Sequence, residues 1–343
     1  MSADRPYLRL IAAAAERAVP LDVMIELTHH CNFRCQHCYI PDFTVPDGLS
    51  TARLLALLDE LAEIGTLRLA LSGGEMMLRR DWLDVARRAR TLGFDLRLLT
   101  NASLVTASIA DEIAALYATV EVSVYSLDAA VFESVTGVPG SLARVLAAIE
   151  LLRRRGVDLL VKAPVMTLNA ASVAGVARWA AENRIDCRID PLISHRKDGA
   201  LAPIALRLPP DRQSPHAGPG TRDAETPARA AGGDSGGPLC AAGTRYANIT
   251  TAGDVLACNL LPVVAGNVRE TAFRDVWECS PWLARLRALR RSDLRGCDAC
   301  GKLAYCGRCP AQALVEDGDL LAPSVWACEN ARALDAAREK GLA

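Results

Sequence analysis

Three closely spaced cysteines near the N-terminus are the residues best suited to chemistry. Cys31, Cys35 and Cys38 follow an apolar run, separated by three and then two residues, and Tyr39 comes next. This spacing lets all three thiols turn toward one metal centre. Three thiolates around a four-iron cluster leave one iron open, where the amine and carboxylate of a ligand can bind. A zinc site, or three unconnected core cysteines, is the alternative.

A glycine pair followed by a carboxylate forms the second motif. Ser72, Gly73, Gly74 and Glu75 follow another apolar run, one strand and one helix after the cysteines. Two glycines let backbone carbonyls approach a ligand closely, and a carboxylate can receive an ammonium group. A tight turn with a solvated Glu75 is the alternative.

Further polar residues end or interrupt apolar runs. Ser126 and Asp128 close one run, and Asn101 follows another, as a ligand contact or a turn residue. Lys162 lies inside an apolar run, where a charge is costly without a partner. We expect Lys162 to meet either a ligand carboxylate or a structural ion-pair partner.

The elements that must position these residues alternate between β-rich runs and helical patterns. Strands joined by helices at this spacing pair in parallel and curl into a barrel, and six strands make a partial one. We therefore predict an α/β fold with a partial (β/α)6 TIM-like barrel, whose motifs all follow strand C-terminal ends and meet on one rim. The predicted strands are Leu21–Thr28, Leu67–Ser72, Asp95–Thr100, Val120–Ser126, Asp158–Met166 and Asp186–Ile193.

The rest of the chain is organised differently. The barrel pattern covers residues 1–202, and residues 203–238 are rich in Pro, Gly and Ala, which predicts a linker that can be disordered. Residues 239–343 form a small Cys-rich region, in which Tyr246–Thr250 and Val255–Cys258 predict a β-hairpin. A helical pattern, Glu329–Lys340, closes the chain.

Seven cysteines in this last region exceed the needs of one zinc ion. Cys309 is followed by Pro310, an ending typical of ferredoxin-type cluster loops. Two more cysteines, Cys187 and Cys279, are expected to be small packing residues. A zinc ribbon formed by the four central cysteines is the alternative. The seven cysteines are Cys240, Cys258, Cys297, Cys300, Cys306, Cys309 and Cys328, of which the central four are Cys297, Cys300, Cys306 and Cys309.

Together these motifs resemble the radical SAM superfamily, whose enzymes cleave S-adenosylmethionine (SAM). The cysteine triad with its following aromatic residue, the Gly-Gly-Glu motif and the Ser-x-Asp stretch are all similar to that family. The resemblance implies that the triad holds a catalytic [4Fe-4S] cluster. It also implies a SAM site that includes Tyr39, Ser72, Gly73, Gly74, Glu75, Asn101, Ser126, Asp128, Lys162 and Ile189.

The C-terminal cysteines resemble the SPASM domain of the same superfamily, as does Gly253, five positions before Cys258. The resemblance implies two auxiliary clusters and three [4Fe-4S] clusters in total. The chain departs from the family pattern in two ways: only two residues separate Cys306 and Cys309, and a cysteine near the hairpin is missing, so one cluster has an open iron or a non-cysteine ligand. The resemblance assigns Cys240, Cys258 and Cys309 to this cluster, and Cys297, Cys300, Cys306 and Cys328 to the other.

The resemblance also implies a reaction. Reductive cleavage of SAM gives a 5'-deoxyadenosyl radical, which abstracts hydrogen from a substrate, most often a ribosomally synthesised peptide that becomes crosslinked or oxidised. About twenty residues precede the first strand, so we expect a separate carrier protein to deliver the peptide, and an external flavodoxin- or ferredoxin-type electron donor. Oxidative decarboxylation of a small molecule such as a tetrapyrrole is the alternative, and an electron carrier or zinc-binding module is the non-enzyme alternative.

Composition limits the partners. The 343 residues carry a formal net charge of -1 without a block of like charge, which predicts no nucleic-acid partner. No apolar stretch is long enough to span a membrane, and no signal peptide is recognisable, so we expect a cytoplasmic protein. Its twelve cysteines then indicate metal binding rather than disulfides. No Ser/His/Asp, paired-carboxylate or Walker-type arrangement offers a different active site.

Overall fold

The computed structural model describes residues 6–213, 238–297 and 300–339. Its strands are β1 (Asp22–Thr28), β2 (Arg68–Gly73), β3 (Asp95–Thr100), β4 (Thr119–Ser123), β5 (Asp158–Pro164), β6 (Asp186–Asp190), β7 (Tyr246–Ile249), β8 (Asp254–Leu256) and β9 (Val264–Asn267). They form one sheet in the spatial order β6-β5-β4-β3-β2-β1-β7-β8-β9.

The described residues form twelve α-helices, and those between the first six strands pack on one face of the sheet. The twelve helices are α1 (Pro6–Glu16), α2 (Thr51–Glu63), α3 (Trp82–Thr91), α4 (Ala107–Leu116), α5 (Ala129–Thr136), α6 (Ser141–Arg154), α7 (Val173–Glu182), α8 (Pro210–Gln213), α9 (Phe273–Cys279), α10 (Pro281–Ala288), α11 (Pro310–Asp317) and α12 (Val325–Glu339).

The first six strands pair in parallel with their sequence neighbours, which confirms the predicted partial barrel. Alternation fixes the two faces of each strand. In β1, Val23, Ile25 and Leu27 are buried in the apolar core that the helices share. Met24 and Glu26 therefore point to the opposite face, which is the barrel interior.

The predicted hairpin is present as β7 and β8, but it does not stand apart from the barrel. Strand β7 pairs in parallel with β1, Asp22 opposite Tyr246 and Ile25 opposite Ile249, and β9 extends the hairpin by a third strand. The sequence did not predict β9, because a four-residue Val-Ala-Gly-Asn strand carries no recognisable alternation. Pairing with β7 covers the edge that β1 would otherwise expose.

The first part of the predicted linker is packed. Pro203 and Leu208 are buried, and Arg207 forms two hydrogen bonds to the Glu316 carboxylate, both 2.6 Å long. The buried apolar side chains and the pairing of Arg207 with Glu316 explain why this proline-containing segment is packed. The remainder of the prediction, residues 214–237, lies outside the described residues, and the domain boundaries at 202 and 239 stay predictions.

Within the described ranges, no single helix is long and apolar enough to cross a membrane. Helices α5 and α6 meet the length and composition criteria only when taken together, and they are bent by 99° where they meet.

Candidate active site and thiol sets

Cys31, Cys35 and Cys38 lie in the loop after β1, at the carboxyl edge of the sheet, and all three are partly buried. Burial raises the pKa of Cys31 to about 11 and that of Cys35 to about 12, and neighbouring thiols of the triad add to both rises. The structure thus brings the triad together in a low-dielectric site. Thiolates become stable there when a metal centre takes the place of their protons.

Local contacts hold this loop. The Phe33 backbone N–H donates to Cys31 Sγ at 3.4 Å, and the Arg34 guanidinium donates to the Cys31 carbonyl at 2.5 Å. The Tyr125 hydroxyl lies 3.6 Å from Cys35 Sγ, and its ring meets the His37 ring edge-on at 5.0 Å. Sequence reasoning missed Tyr125, although it directly precedes the predicted Ser126.

Gly73 and Gly74 seat the second motif against the cysteine loop. Gly73 has a φ of 137°, and a Cβ there would lie 2.2 Å from the Thr28 carbonyl oxygen. A Cβ on Gly74 would lie 2.4 Å from the His30 carbonyl oxygen. The Gly74 and Glu75 backbone N–H groups donate to these same two carbonyls, each at 2.8 Å. The absence of side chains therefore sets the distance between the two loops.

Glu75 is fully buried, so the alternative of a solvated side chain is wrong. Its carboxylate accepts hydrogen bonds from the Thr100 hydroxyl at 2.8 Å, the Asn101 N–H at 2.8 Å and the Met77 N–H at 3.1 Å. Burial raises the pKa of Glu75 against these bonds. The negative charge of the Glu75 carboxylate also raises the pKa of Cys31, so Glu75 lies beside the triad.

Asn101 joins the same site. Its side-chain amide donates to Asn32 Oδ1 at 2.8 Å and lies 4.0 Å from Cys31 Sγ. Its amide oxygen accepts hydrogen bonds from the backbone and hydroxyl of Ser103, at 2.9 and 2.7 Å. Asn101 is therefore a turn residue that also lies beside the triad, and its contact with a ligand stays a prediction.

A buried carboxylate on the interior face of β1 was missed by sequence reasoning. Glu26 is fully buried, contacts Lys197 Nζ and lies 3.3 Å from His29 Nε2. Burial acts to raise the pKa of Glu26, but the His29 and Lys197 contacts outweigh it and lower the pKa. A charged residue inside the apolar strand was the available signal, as it was for Lys162. Lys197 also lies 5.4 Å from the ring centre of Tyr39.

Tyr39 and Ser72 lie close together beside this carboxylate, because Ser72 and the Glu26 charge both act on the Tyr39 hydroxyl. Burial raises the pKa of Tyr39 well above its usual value, and the Glu26 charge adds to the rise. Both predicted residues therefore lie together below the triad, on the interior side of β1 and β2.

Lys162 has an ion-pair partner. Its ammonium group contacts the carboxylate of Glu121 on the neighbouring strand β4, and Arg97 on β3 lies 3.3 Å from the same carboxylate. Glu121 is 5% exposed, so this pairing offsets the cost of a buried charge. Of the two expectations for Lys162, the structure favours the ion pair.

The three remaining predicted SAM contacts, Ser126, Asp128 and Ile189, lie after β4 and in β6. Ser126 Oγ accepts a hydrogen bond from the Asp128 N–H at 3.0 Å, and the exposed Asp128 caps α5 by accepting from the Val131 N–H at 3.2 Å. A Ser-x-Asp stretch is also an ordinary start of a helix, which explains the ambiguity. Ile189 is opposite Ala163 in the strand pairing and packs on the helix-covered face, away from the barrel interior.

The C-terminal cysteines separate into two groups. The first thiol set is Cys240, Cys258 and Cys309, which precede β7, follow β8 and precede α11, respectively. Burial raises the pKa of Cys240 to about 11 and that of Cys258 to about 12; the Cys309 charge adds to both rises, and the Cys240 charge adds to that of Cys258. The structure therefore brings these three together beside β7.

The second thiol set is Cys297, Cys300, Cys306 and Cys328. Burial raises the pKa of Cys297, and the charges of the other three thiols act in the same direction. Because Cys309 interacts with the thiols of the first set, the structure does not favour the zinc ribbon considered from sequence. Among the described residues, no three His, Cys, Asp or Glu side chains lie together as ligands of a single metal ion, which zinc would hold at about 2.0–2.3 Å.

The two remaining cysteines join neither set. Burial raises the pKa of Cys187, in β6, to about 11. Cys279, at the end of α9, is exposed rather than packed. The general tendency of free cysteines to be buried had predicted packing, but its neighbours Trp277 and Ser280 are buried without it.

A parallel α/β partial barrel with a cysteine triad on its carboxyl rim, and further thiols beside it, defines the class of iron-sulfur enzymes that activate SAM. The sequence model of the Radical SAM superfamily matches residues 25–180, and that of the SPASM iron-sulfur cluster-binding domain matches residues 240–310.

The chain belongs to the radical SAM superfamily. It is 31% identical over 324 residues to a PqqA peptide cyclase of Xanthomonas euvesicatoria pv. vesicatoria, covering 88% of this chain and 85% of the relative. It is 29% identical over 325 residues to an AdoMet-dependent heme synthase of Methanosarcina barkeri, covering 86% and 93%. The crystal structure of Streptococcus suis SuiB bound to precursor peptide SuiA shares the fold, with a TM-score of 0.72, 18% identity and coverage of 95% and 82%.

These findings confirm the predicted family and enzyme class. The protein is a radical SAM enzyme that uses SAM and iron-sulfur clusters. The three groups of thiols supply the donors that such cofactors need, with the triad and the first thiol set buried and the second thiol set nearer the surface.

Proposed function

We propose that the protein holds three [4Fe-4S] clusters, one at Cys31, Cys35 and Cys38, one at the first thiol set and one at the second. The observation that carries this proposal is the sorting of ten thiols into three separate neighbourhoods, of three, three and four. The triad and the first thiol set each supply three ligands, which leaves room for a ligand other than cysteine at each cluster. When bound, the triad cluster supplies the electron that cleaves SAM reductively.

The residues around the triad orient SAM in this proposal. Glu75, fixed by Thr100 and Asn101, presents a negative charge beside Cys31 and attracts the SAM ammonium group. Gly73 and Gly74 keep the two loops close enough for one ligand to touch both.

In this proposal Tyr39, Ser72 and Ser126 contact SAM, and the barrel around them excludes water from the site. Ser126 is fully buried, which keeps it among the proposed contacts. The proposal does not include Asp128, Lys162 or Ile189, because the structure gives them a helix cap, an ion pair and a place on the helix-covered face.

A ribosomally synthesised peptide, crosslinked or oxidised after hydrogen abstraction, is the proposed substrate. Similarity to a PqqA peptide cyclase over most of both chains, and to SuiB in its complex with a precursor peptide, supports it. A separate carrier protein would deliver the peptide, and a flavodoxin- or ferredoxin-type protein would supply electrons. Similarity to an AdoMet-dependent heme synthase favours a second candidate, oxidation of a small molecule such as a tetrapyrrole.

Two assays test this function. Anaerobically reconstituted protein is expected to contain about twelve iron atoms per chain, and a content near four would remove the auxiliary clusters from the proposal. Coexpression with a short peptide encoded beside this gene should change the peptide mass by loss of hydrogen. An unchanged peptide, together with decarboxylation of an added tetrapyrrole, would favour the second candidate instead.

A further inference from the structure

Arg308 lies in the short segment between Cys306 and Cys309, two cysteines that belong to different thiol sets. Its guanidinium is fixed by backbone carbonyls in the loop after α11. Nε and Nη2 donate to the Ala322 carbonyl at 2.9 and 2.7 Å, and Nη2 also donates to the Leu320 carbonyl. A planar guanidinium held in this way keeps one position instead of sampling many rotamers.

The charge of Arg308 reaches both thiol sets. It interacts with four thiols, two from each set, namely Cys297 and Cys306 of the second and Cys240 and Cys309 of the first. Burial acts to lower the pKa of Arg308 and the thiolates oppose this, but an arginine remains charged at any ordinary pH.

Other nearby cations are engaged or exposed. Arg245, beside Cys240, forms a salt bridge with Asp22 at 3.2 Å. Arg332, which interacts with a thiol of the second set, is exposed to solvent. In the described part of the chain, no carboxylate is among the main electrostatic partners of Arg308. Arg308 therefore offers both sets a half-buried positive charge held in one position.

We propose that Arg308 is a redox-tuning residue shared by the two auxiliary clusters, whose fixed positive charge raises the reduction potential of both. The inference rests on the proposed assignment of clusters to the two thiol sets. Reduction adds one negative charge to a cluster, and a cation nearby in a low-dielectric region stabilises that charge. One arginine between two clusters thus keeps both potentials high enough to accept an electron from the substrate.

Redox titrations of the reconstituted holoenzyme, followed by electron paramagnetic resonance, test this inference. Arg308→Gln should shift the midpoint potentials of both auxiliary clusters to more negative values and leave that of the triad cluster unchanged. Arg308→Lys keeps the charge and should stay closer to the wild type. The matched control Arg332→Gln removes an exposed charge and should leave the first-set cluster unchanged.

Several outcomes would overturn the inference: unchanged potentials in Arg308→Gln, a shift in only one auxiliary cluster, or equal shifts in Arg308→Gln and Arg308→Lys. If Arg308→Gln fails to load iron, the iron content and the midpoint potentials of Arg308→Lys decide between the two roles. Full loading with near-wild-type potentials supports a role for the charge, and loss of iron in both variants assigns Arg308 a purely structural role. A wild-type iron content near four atoms would instead contradict the three-cluster proposal, so the two failures are distinguishable.

Discussion

Two charged residues of the barrel, both visible in the sequence, differ in what surrounds them. Glu75 is fully buried, and its hydrogen-bond partners are uncharged groups of the protein. Lys162 contacts a buried carboxylate, that of Glu121. A carboxylate without a cation retains the capacity to attract one, whereas a paired lysine has used that capacity. The two residues should therefore respond differently to substitution.

Glu75→Gln should weaken SAM binding by about 10- to 100-fold, because a charge-assisted hydrogen bond contributes about 1.5–3 kcal/mol. The amide keeps the size of the side chain, and its oxygen can still accept from Thr100. Titration of SAM against the oxidised, iron-loaded protein, in which SAM is not cleaved, gives the affinity from the change in the cluster spectrum. Undiminished SAM affinity in a fully loaded variant would exclude Glu75 from the SAM site.

Lys162→Met should lower the free energy of unfolding by about 1–3 kcal/mol, because it leaves the buried Glu121 with one cation fewer. Denaturant unfolding of the variant measures this loss, and adding Glu121→Gln should recover part of it. SAM affinity should stay at the wild-type value. A variant with normal stability but weakened SAM binding would restore the ligand contact considered from sequence.

At the scale of elements, the two loops that follow β1 and β2 act as one unit. The Gly-Gly step brings backbone to within hydrogen-bond distance of the cysteine loop, at Thr28 and His30. Helix propensity and strand pattern have no part in this contact. It depends on the absence of two Cβ atoms.

Gly74→Ala should displace the cysteine loop, since the new methyl group would lie 2.4 Å from a backbone oxygen that cannot rotate away. We expect the loss of about four iron atoms per chain, confined to the triad cluster. Gly175→Ala is the control, because its Cβ would meet only Arg178 at 3.8 Å. Iron analysis with paramagnetic resonance measures both, and a fully loaded Gly74→Ala protein would refute the packing argument.

Sequence alone predicted the six barrel strands and the hairpin, because apolar alternation is a local signal. It could not predict that β7 pairs with β1, or that β9 exists, since these depend on contacts between distant segments. The same limit applies to Arg308, whose anchors at Leu320 and Ala322 are brought close only by the turn after α11. The ten cysteines proposed as cluster ligands were predicted from spacing and family resemblance.

At the scale of the whole molecule, one continuous sheet carries the triad and the first thiol set. In the sequence, the triad directly follows β1. Strand β7, which pairs with β1 in the sheet, follows Cys240 and precedes Cys258 in the sequence. Asp22 joins the two sides of β1 by salt bridges to Arg68 on β2 and Arg245, just before β7, each at 3.2 Å. The proposed SAM site and the nearer auxiliary site are thus held in a fixed relation by strand pairing.

Reductive cleavage of SAM by the anaerobically reconstituted protein is the most direct test of the central claim, that Cys31, Cys35 and Cys38 hold the cluster that activates SAM. With dithionite as reductant, the wild type and the exposed-cysteine control Cys279→Ala should both form 5'-deoxyadenosine, detected by mass spectrometry. Cys35→Ala should form none while keeping its auxiliary iron. Equal 5'-deoxyadenosine formation by Cys35→Ala, or none by a fully loaded wild type, would contradict the account.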